Sequence, residues 1–437
     1  MRFKGAMGDM YMWVSLTKVI GAWFFLVITS VMCLTESVLA SENATIDMEE
    51  AITRTLARSP ALLAFGYQLE VQQARVTQSQ LRPNPELGVL VENVLGTGEY
   101  EGTDGSETTL SIGWVLERGK LESRVATARA GVSLFESEAE VHRLDAIAQT
   151  ARLFLVSLAN QERVVQMQQA VTLSKQTVDI VKTRVNTGRT PDADLARAEA
   201  QLARIQLERE DLEHELLTSN YRLSTQWGDF EPDFSKVTGD LRQLPMPVDF
   251  SSLLAQVDQN PSLSSYVTHR RLREAELHLA ETEAKPSWQI SAGVRRLELT
   301  NDNAFVAEIN IPLASRNQNQ GRIAEARANI ALSDANQAAT RLQIETQMFA
   351  VYQALQHSLH QSQTLREEVL PRVEKALADT QRAYESGRYD YSVLQLLQGE
   401  VLETRTALVE TSIEAHAHRI EIERLTGTAM PSLFNQP

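Results

Sequence analysis

The sequence predicts a mainly α-helical protein with a small β part, made of duplicated long-helix hairpins and four strands per chain. Three observations predict it. Past residue 117 the chain runs for long stretches without glycine or proline, as very long helices require. Motifs recur at an offset of about 200 residues. Four short segments alternate apolar and polar residues with period two.

The N-terminus, residues 1–40, reads as a signal peptide. Arg2, Lys4 and Lys18 supply positive charge, Val19 to Leu34 is mainly apolar, and Val38-Leu39-Ala40 offers a small-residue cleavage site. The apolar run is short for a membrane anchor, and polar Ser41-Glu42-Asn43 follows at once. Met32 before Cys33 is a poor fit for a lipidation site. Cleavage after Ala40 removes the single cysteine, leaving no disulfide and no thiolate ligand.

The repeats come next. Ser59-Pro60-Ala61-Leu62 matches Asn260-Pro261-Ser262-Leu263, and Arg82-Pro83 matches Lys285-Pro286. The run Arg124 to Ala130 matches Arg322 to Ala328, Thr187-Gly188-Arg189 matches Ser386-Gly387-Arg388, and Trp227-Gly228 matches Thr426-Gly427. Matches in one order at near-constant offset divide the chain into a first repeat at 41–228 and a second at 250–428. A proline-bearing linker, 229–249, joins them, and 429–437 is a tail.

Each repeat opens with a helix of about 35 residues, near 47–81 and 250–284, ended by Pro83 or Pro286. Two strand-like segments follow. An unbroken helical stretch comes next, near 119–186 and 317–384, then a glycine turn and a last helix near 192–227 and 391–426. At 1.5 Å per residue the long helix is roughly 100 Å and the two shorter helices end to end are roughly 105 Å. The short helices therefore stack into a second rod antiparallel to the long one. Leu195, Ala198, Leu202, Ile205, Leu212, Leu216 and Leu223 keep heptad spacing, interrupted by Arg209 and Ser219. From the helices alone, a soluble coiled coil is the reading.

The strands argue otherwise. Leu87 to Leu95, Thr109 to Leu116, Trp288 to Arg295 and Phe305 to Leu313 are each apolar on one face. The other face carries Glu92, Arg295 and Glu308, which suit a wet lumen. Segments of this length and pattern suit transmembrane barrel strands; the alternative is a small sheet with one face on a protein core. Trp114 and Trp288 lie near strand ends, where interfacial aromatics belong, and the loops Gly96 to Glu107 and Glu298 to Asn303 are polar and acidic. Four strands cannot close a barrel, and an open sheet in lipid leaves edge groups unsatisfied, so the copies must associate. Twelve strands from three copies is the smallest odd-symmetry closure with room for a passage; the sequence alone leaves the copy number open.

This plan resembles the TolC family of outer-membrane efflux proteins over essentially all of residues 45–430. The residues that carry the likeness are Asn260-Pro261-Ser262-Leu263, Ala383-Tyr384-Glu385-Ser386-Gly387-Arg388, Leu370-Pro371 and the paired glycine turns. Within it the chain looks most like the CzcC group of heavy-metal efflux components. The resemblance implies a homotrimer with a twelve-stranded transmembrane β-barrel in the outer-membrane lipid, continuing into a periplasmic α-barrel. It implies a periplasmic adaptor (membrane fusion protein) and an inner-membrane RND transporter as partners, with cobalt, zinc, cadmium or copper as cargo. Drug or solvent efflux, or type I protein secretion, is the alternative on the same channel fold. It further implies that Val185, Thr187, Gly188, Tyr384, Ser386 and Gly387 contact the adaptor, and that Asp194 bonds Arg388 and Tyr389 to hold the gate. Val393 and Leu396 stand where some relatives carry an acidic ring. Pro371 should bend its helix.

The formal charge of −15 and the lack of a basic cluster exclude nucleic acid as a partner. No motif for catalysis or for a cofactor is present, and no resident metal is expected. His357 with His360, and His416 with His418, lack a third ligand and read as helix-face residues.

Overall fold

A computed structural model describes residues 44–313 and 318–428; the expected signal peptide and tail lie outside them. A two-residue strand β1 (Thr45–Ile46) precedes α1 (Met48–Arg58) and α2 (Pro60–Ser79). Strands β2 (Glu86–Glu92) and β3 (Glu107–Leu116) lead into α3 (Lys120–Asn186) and α4 (Asp192–Ser224). After β4 (Lys236–Val237) the order recurs: α5 (Phe250–Gln256), α6 (Pro261–Glu283), β5 (Trp288–Leu297) and β6 (Asp302–Asn310). The last helices are α7 (Gln320–Thr364), α8 (Leu370–Glu385) and α9 (Tyr391–Thr426).

Two expected helices are broken. The stretch 47–81 divides at Ser59, and 250–284 divides after a short 3₁₀ turn, Val257–Gln259. In both the following proline starts the new helix, while the residue before it adopts an extended ψ, 122° at Ser59 and 125° at Asn260. Asp47 and Asp249 cap α1 and α5 by accepting from Glu50 N and Ser252 N, at 2.8 and 3.1 Å. The stretch 317–384 is also interrupted: a π turn, Leu365–Val369, separates α7 from α8. Pro371 has no N–H to give, and the wider turn carries the chain past it with Leu370 N donating to Leu365 O. Pro191 precedes α4 as its cap residue.

The stacked rods have a visible joint. Gly228 and Gly427 end the lower helices at φ 87° and 69°, and a Cβ on them would lie 3.2 Å from Pro60 Cγ and 2.9 Å from Pro261 Cδ. Each lower helix therefore abuts the proline that begins the upper one. Asn260 ties the second joint by donating to Leu425 O at 2.9 Å, and Arg58 ties the first to Asp229 at 2.6 Å.

The cores lie at these joints, half way along the long helices. Phe154, Leu155 and Leu158 of α3 pack with Ile46, Ala51, Leu223, Trp227 and Val237. Met348 and Leu355 of α7 pack with Leu253, Val257, Leu263, Ile422 and Leu425. The linker is held by the parallel pair β1–β4, which the sequence reading did not foresee. Away from the joints the walls are two-helix seams, with Met167, Val171 and Ile205 joining α3 to α4.

Strands β2–β3–β5–β6, in that order, form one antiparallel sheet, so β3 pairs β5 across the two halves of the chain. Its strands begin and end slightly off the expected segments. Asn93 and Leu95 take positive φ, 59° and 55°, and stop β2 before Leu95. Strand β6 stops at Asn310, two residues before Pro312, whose missing N–H could not continue a ladder.

Candidate pore face and hairpin tip

The register sorts the sheet into two faces. Pairing of Glu92 with Glu107, Thr109 with Arg295, and Ser291 with Glu308 puts Glu92, Arg295 and Glu308 on one face, with Glu86, Ser111, Gly113 and Asn310. The guanidinium of Arg295 donates to Thr109 Oγ1 at 2.9 Å, Glu107 Oε2 at 2.9 Å and Glu92 Oε2 at 3.2 Å, stitching three strands together. Glu107, expected at the end of the loop, is instead the first residue of β3 and completes this cluster. Glu308 and Glu86 lie toward the helical end of the same face, with no ion pair among the described residues.

The opposite face is apolar and bare. Leu87, Val89, Leu110, Ile112, Trp114, Phe305 and Ile309 all lie on it and are exposed, Phe305 at 76%. Both outer strands, β2 and β6, have an unpaired edge. A bare apolar face with two open edges needs a covering phase and further strands. Among the described residues, no helix is long and apolar enough to cross a membrane.

At the other end of the molecule the two glycine turns share one geometry. Gly188 and Gly387 have φ of 69° and 78°. Arg189 N donates to Arg184 O, and Arg388 N to Ala383 O, both at 2.9 Å. Thr187, Gly188, Ser386 and Gly387 are exposed at the tip, and Val185 is half-buried. Tyr384 is different. It is 1% exposed, packed 6.4 Å ring to ring from Tyr391, so it belongs to the interior and not to a docking surface.

What joins the turns within a chain is Arg184. Its Nη1 donates to Tyr384 O at 2.6 Å and Glu385 O at 3.1 Å, its Nε to Thr190 Oγ1 at 3.1 Å, and its guanidinium lies 4.7 Å from the Tyr384 ring. A cation thereby covers the last carbonyls of α8, where the helix dipole favours it. Burial pushes the Tyr384 hydroxyl above the usual range, opposed by Thr190 and Arg184. Asp194 sits half-buried in the first turn of α4, near enough to Tyr384 and Tyr391 to raise both further. Arg388 and Tyr389 are exposed. Among the described residues no hydrogen bond or ion pair joins either to Asp194 within one chain. His357 and His360 are exposed on α7, and the described residues hold no group of three metal ligands.

Comparison with known proteins meets this geometry at both ends. Residues 51–229 match the family model of the outer membrane efflux protein. This part of the chain is similar to the outer membrane efflux protein family. The chain is 23% identical over 380 residues to the cobalt-zinc-cadmium resistance protein CzcC of Cupriavidus metallidurans, covering 87% of this chain and 90% of that protein. It is also 23% identical over 293 residues to the nickel and cobalt resistance protein CnrC of the same organism, covering 67% and 69%. Among solved structures it is similar to the outer membrane protein VceC of Vibrio cholerae, with a TM-score of 0.70, 16% identity, and 87% and 96% of the two chains covered. CusC gives a TM-score of 0.64 at 16% identity over 90% and 96%. The matched family model and VceC are both described as outer membrane proteins.

Proposed function

We propose that this protein is the exit channel of a tripartite RND-type system exporting heavy-metal cations, assembled as a homotrimer. The observation that carries the proposal is the four-stranded sheet, apolar on one face, acidic on the other and open at both edges. Three copies pairing β6 of one with β2 of the next give twelve strands and no edge. The helices support the same seam. In the upper half, contacts run α2–α3–α6–α7, the order of the strands they adjoin. The outermost helices α2 and α7 carry exposed Leu63, Tyr67 and Val71, and Leu332, Leu342 and Phe349. The polar face then lines the lumen with Glu92, Arg295 and Glu308.

The division into a cleaved leader (1–40), repeats at 41–228 and 250–428, linker 229–249 and tail 429–437 is part of this reading. The tip residues Thr187, Gly188, Ser386 and Gly387, which are exposed, and half-buried Val185 meet the periplasmic adaptor, which links the channel to the inner-membrane transporter. Asp194 engages Arg388 or Tyr389 of a neighbouring copy, since among the described residues no bond joins them within one chain. Cobalt, zinc, cadmium and nickel as cargo are suggested by the resistance proteins to which the chain is similar, and copper, expected from the sequence, is not among the metals in their names.

Purified protein in planar bilayers tests the channel, and deletion of the gene tests the cargo. Stepwise conductance, with lowered tolerance to cobalt, zinc or cadmium on deletion, is expected. Conductance with unchanged metal tolerance contradicts the cargo alone; no conductance contradicts the channel.

A further inference from the structure

The apolar face of the sheet ends, on the periplasmic side, in the pair Leu116–Trp288. Just beyond it Arg118 lays its guanidinium over the Trp288 ring, 3.5 Å from the centroid. The stacking uses the flat face of the guanidinium and leaves its N–H edges free. Arg118 is exposed and makes no ion pair or hydrogen bond among the described residues. The nearby carboxylate is already engaged: Glu117 pairs with Arg124 at 2.7 Å. Lys120 lies two residues on and donates to Ser287 Oγ at 2.8 Å; exposed Lys285 enters the same junction three residues before Trp288.

Position decides what can reach this step. Strands β3 and β5 are the two middle strands, so a neighbouring copy, which must meet β2 or β6, does not cover it. Trp288 pairs on the apolar side, so the step faces outward and not into the lumen. A cation on an aromatic platform, at the level where hydrocarbon gives way to water, is placed for a phosphate group.

We infer that Arg118, stacked on Trp288 and flanked by Lys120 and Lys285, is a docking site for the phosphate of an anionic phospholipid in the periplasmic leaflet of the outer membrane. This rests on the sheet facing lipid, as the channel reading requires. Arg118 supplies the hydrogen bonds, Trp288 holds its plane, and the two lysines favour a headgroup with net negative charge over a zwitterionic one. The site gives each protomer a fixed depth in the bilayer.

The test uses the full-length oligomer in mild detergent, incubated with phosphatidylglycerol or phosphatidylethanolamine and read by native mass spectrometry. Wild type should retain phosphatidylglycerol preferentially. Arg118→Gln should lower that retention about fivefold, the equivalent of ~1 kcal/mol per basic group at an anionic surface. Arg118→Lys should keep more of it than Arg118→Gln, and Trp288→Leu should lose part of it. Equal retention of the two lipids by wild type overturns the inference without any substitution. So does full retention by Arg118→Gln, or displacement of the lipid by millimolar inorganic phosphate, which would mark a general anion site. Conductance of the same preparations separates the readings: conducting channels without lipid preference sink this inference alone, whereas absence of conductance in wild type sinks the channel as well.

Discussion

Replacing Arg184 with alanine should loosen the periplasmic tip while leaving the rest of the molecule intact. The side chain makes three hydrogen bonds, to Tyr384 O, Glu385 O and Thr190 Oγ1, and stacks on the Tyr384 ring. A hydrogen bond to a charged donor contributes about 1.5–3 kcal/mol when part-buried, and a cation at a helix C-terminus about 0.3–1 kcal/mol. The bonds share one partner and are not additive, so a local cost of about 2–3 kcal/mol is expected. At 1.4 kcal/mol per tenfold change, local opening should increase on the order of 30- to 150-fold. Hydrogen exchange on backbone amides 187–194 and 385–391 measures this directly, with amides of the joint around Phe154 and Leu355 as the internal reference. Arg184→Lys should recover part of the protection, since an ammonium reaches one carbonyl but cannot bridge two or stack. Exchange at the tip unchanged from wild type, or equal acceleration at tip and joint, would refute the clasp.

Two further outcomes follow from the joints and the core. Gly427→Ala places a Cβ 2.9 Å from Gln259 O and Pro261 Cδ at a left-handed φ of 69°; the expected cost of about 2–4 kcal/mol should lower the temperature at which the oligomer loses heat resistance. An unchanged transition would contradict the end-to-end abutment. His416 is fully buried, and burial pushes its imidazole down to about 4 although Leu241 O and Asp240 pull the other way. The unfolded imidazole takes up its proton near pH 6.5 and the folded one only near 4. Stability is therefore complete above 6.5 and falls by about 3 kcal/mol on acidification to pH 4. His416→Gln should remove that part of the pH dependence of urea unfolding; an identical pH profile in the variant would count against it.

Several of these features were legible in the sequence and several were not, for physical reasons. The sheet was readable because a strand's side-chain period is two, so Trp288, Ile290 and Val294 reveal their shared face without any tertiary information. The glycine turns were readable because an αL cap strongly favours glycine. The interruptions at Ser59 and Asn260 were written as residue–proline steps, but a stretch whose apolar spacing continues across the break masks a change of direction. The π turn before Pro371 depends on how the backbone redistributes a lost hydrogen bond, which no residue pattern states. Arg184 escaped notice because its partners lie 200 and 201 residues away, and because an arginine before a turn glycine looks like a solvated helix end. Tyr384 was assigned to the surface by its place beside a turn, whereas packing against Tyr391 turns it inward.

The account depends above all on the open edges of β2 and β6 closing on other copies of the same chain. Past residue 40 the sequence has no cysteine, so disulfide capture runs without background. Single cysteines introduced together at Val89→Cys on β2 and Ala307→Cys on β6 lie at opposite edges of one sheet and can bridge only between copies. Oxidised in the outer membrane, with neighbouring register positions tried in turn, the chain should give a ladder of one, two and three copies that stops at three. A ladder that ends at the monomer for every register, or one that runs beyond three, would contradict the closed twelve-stranded wall.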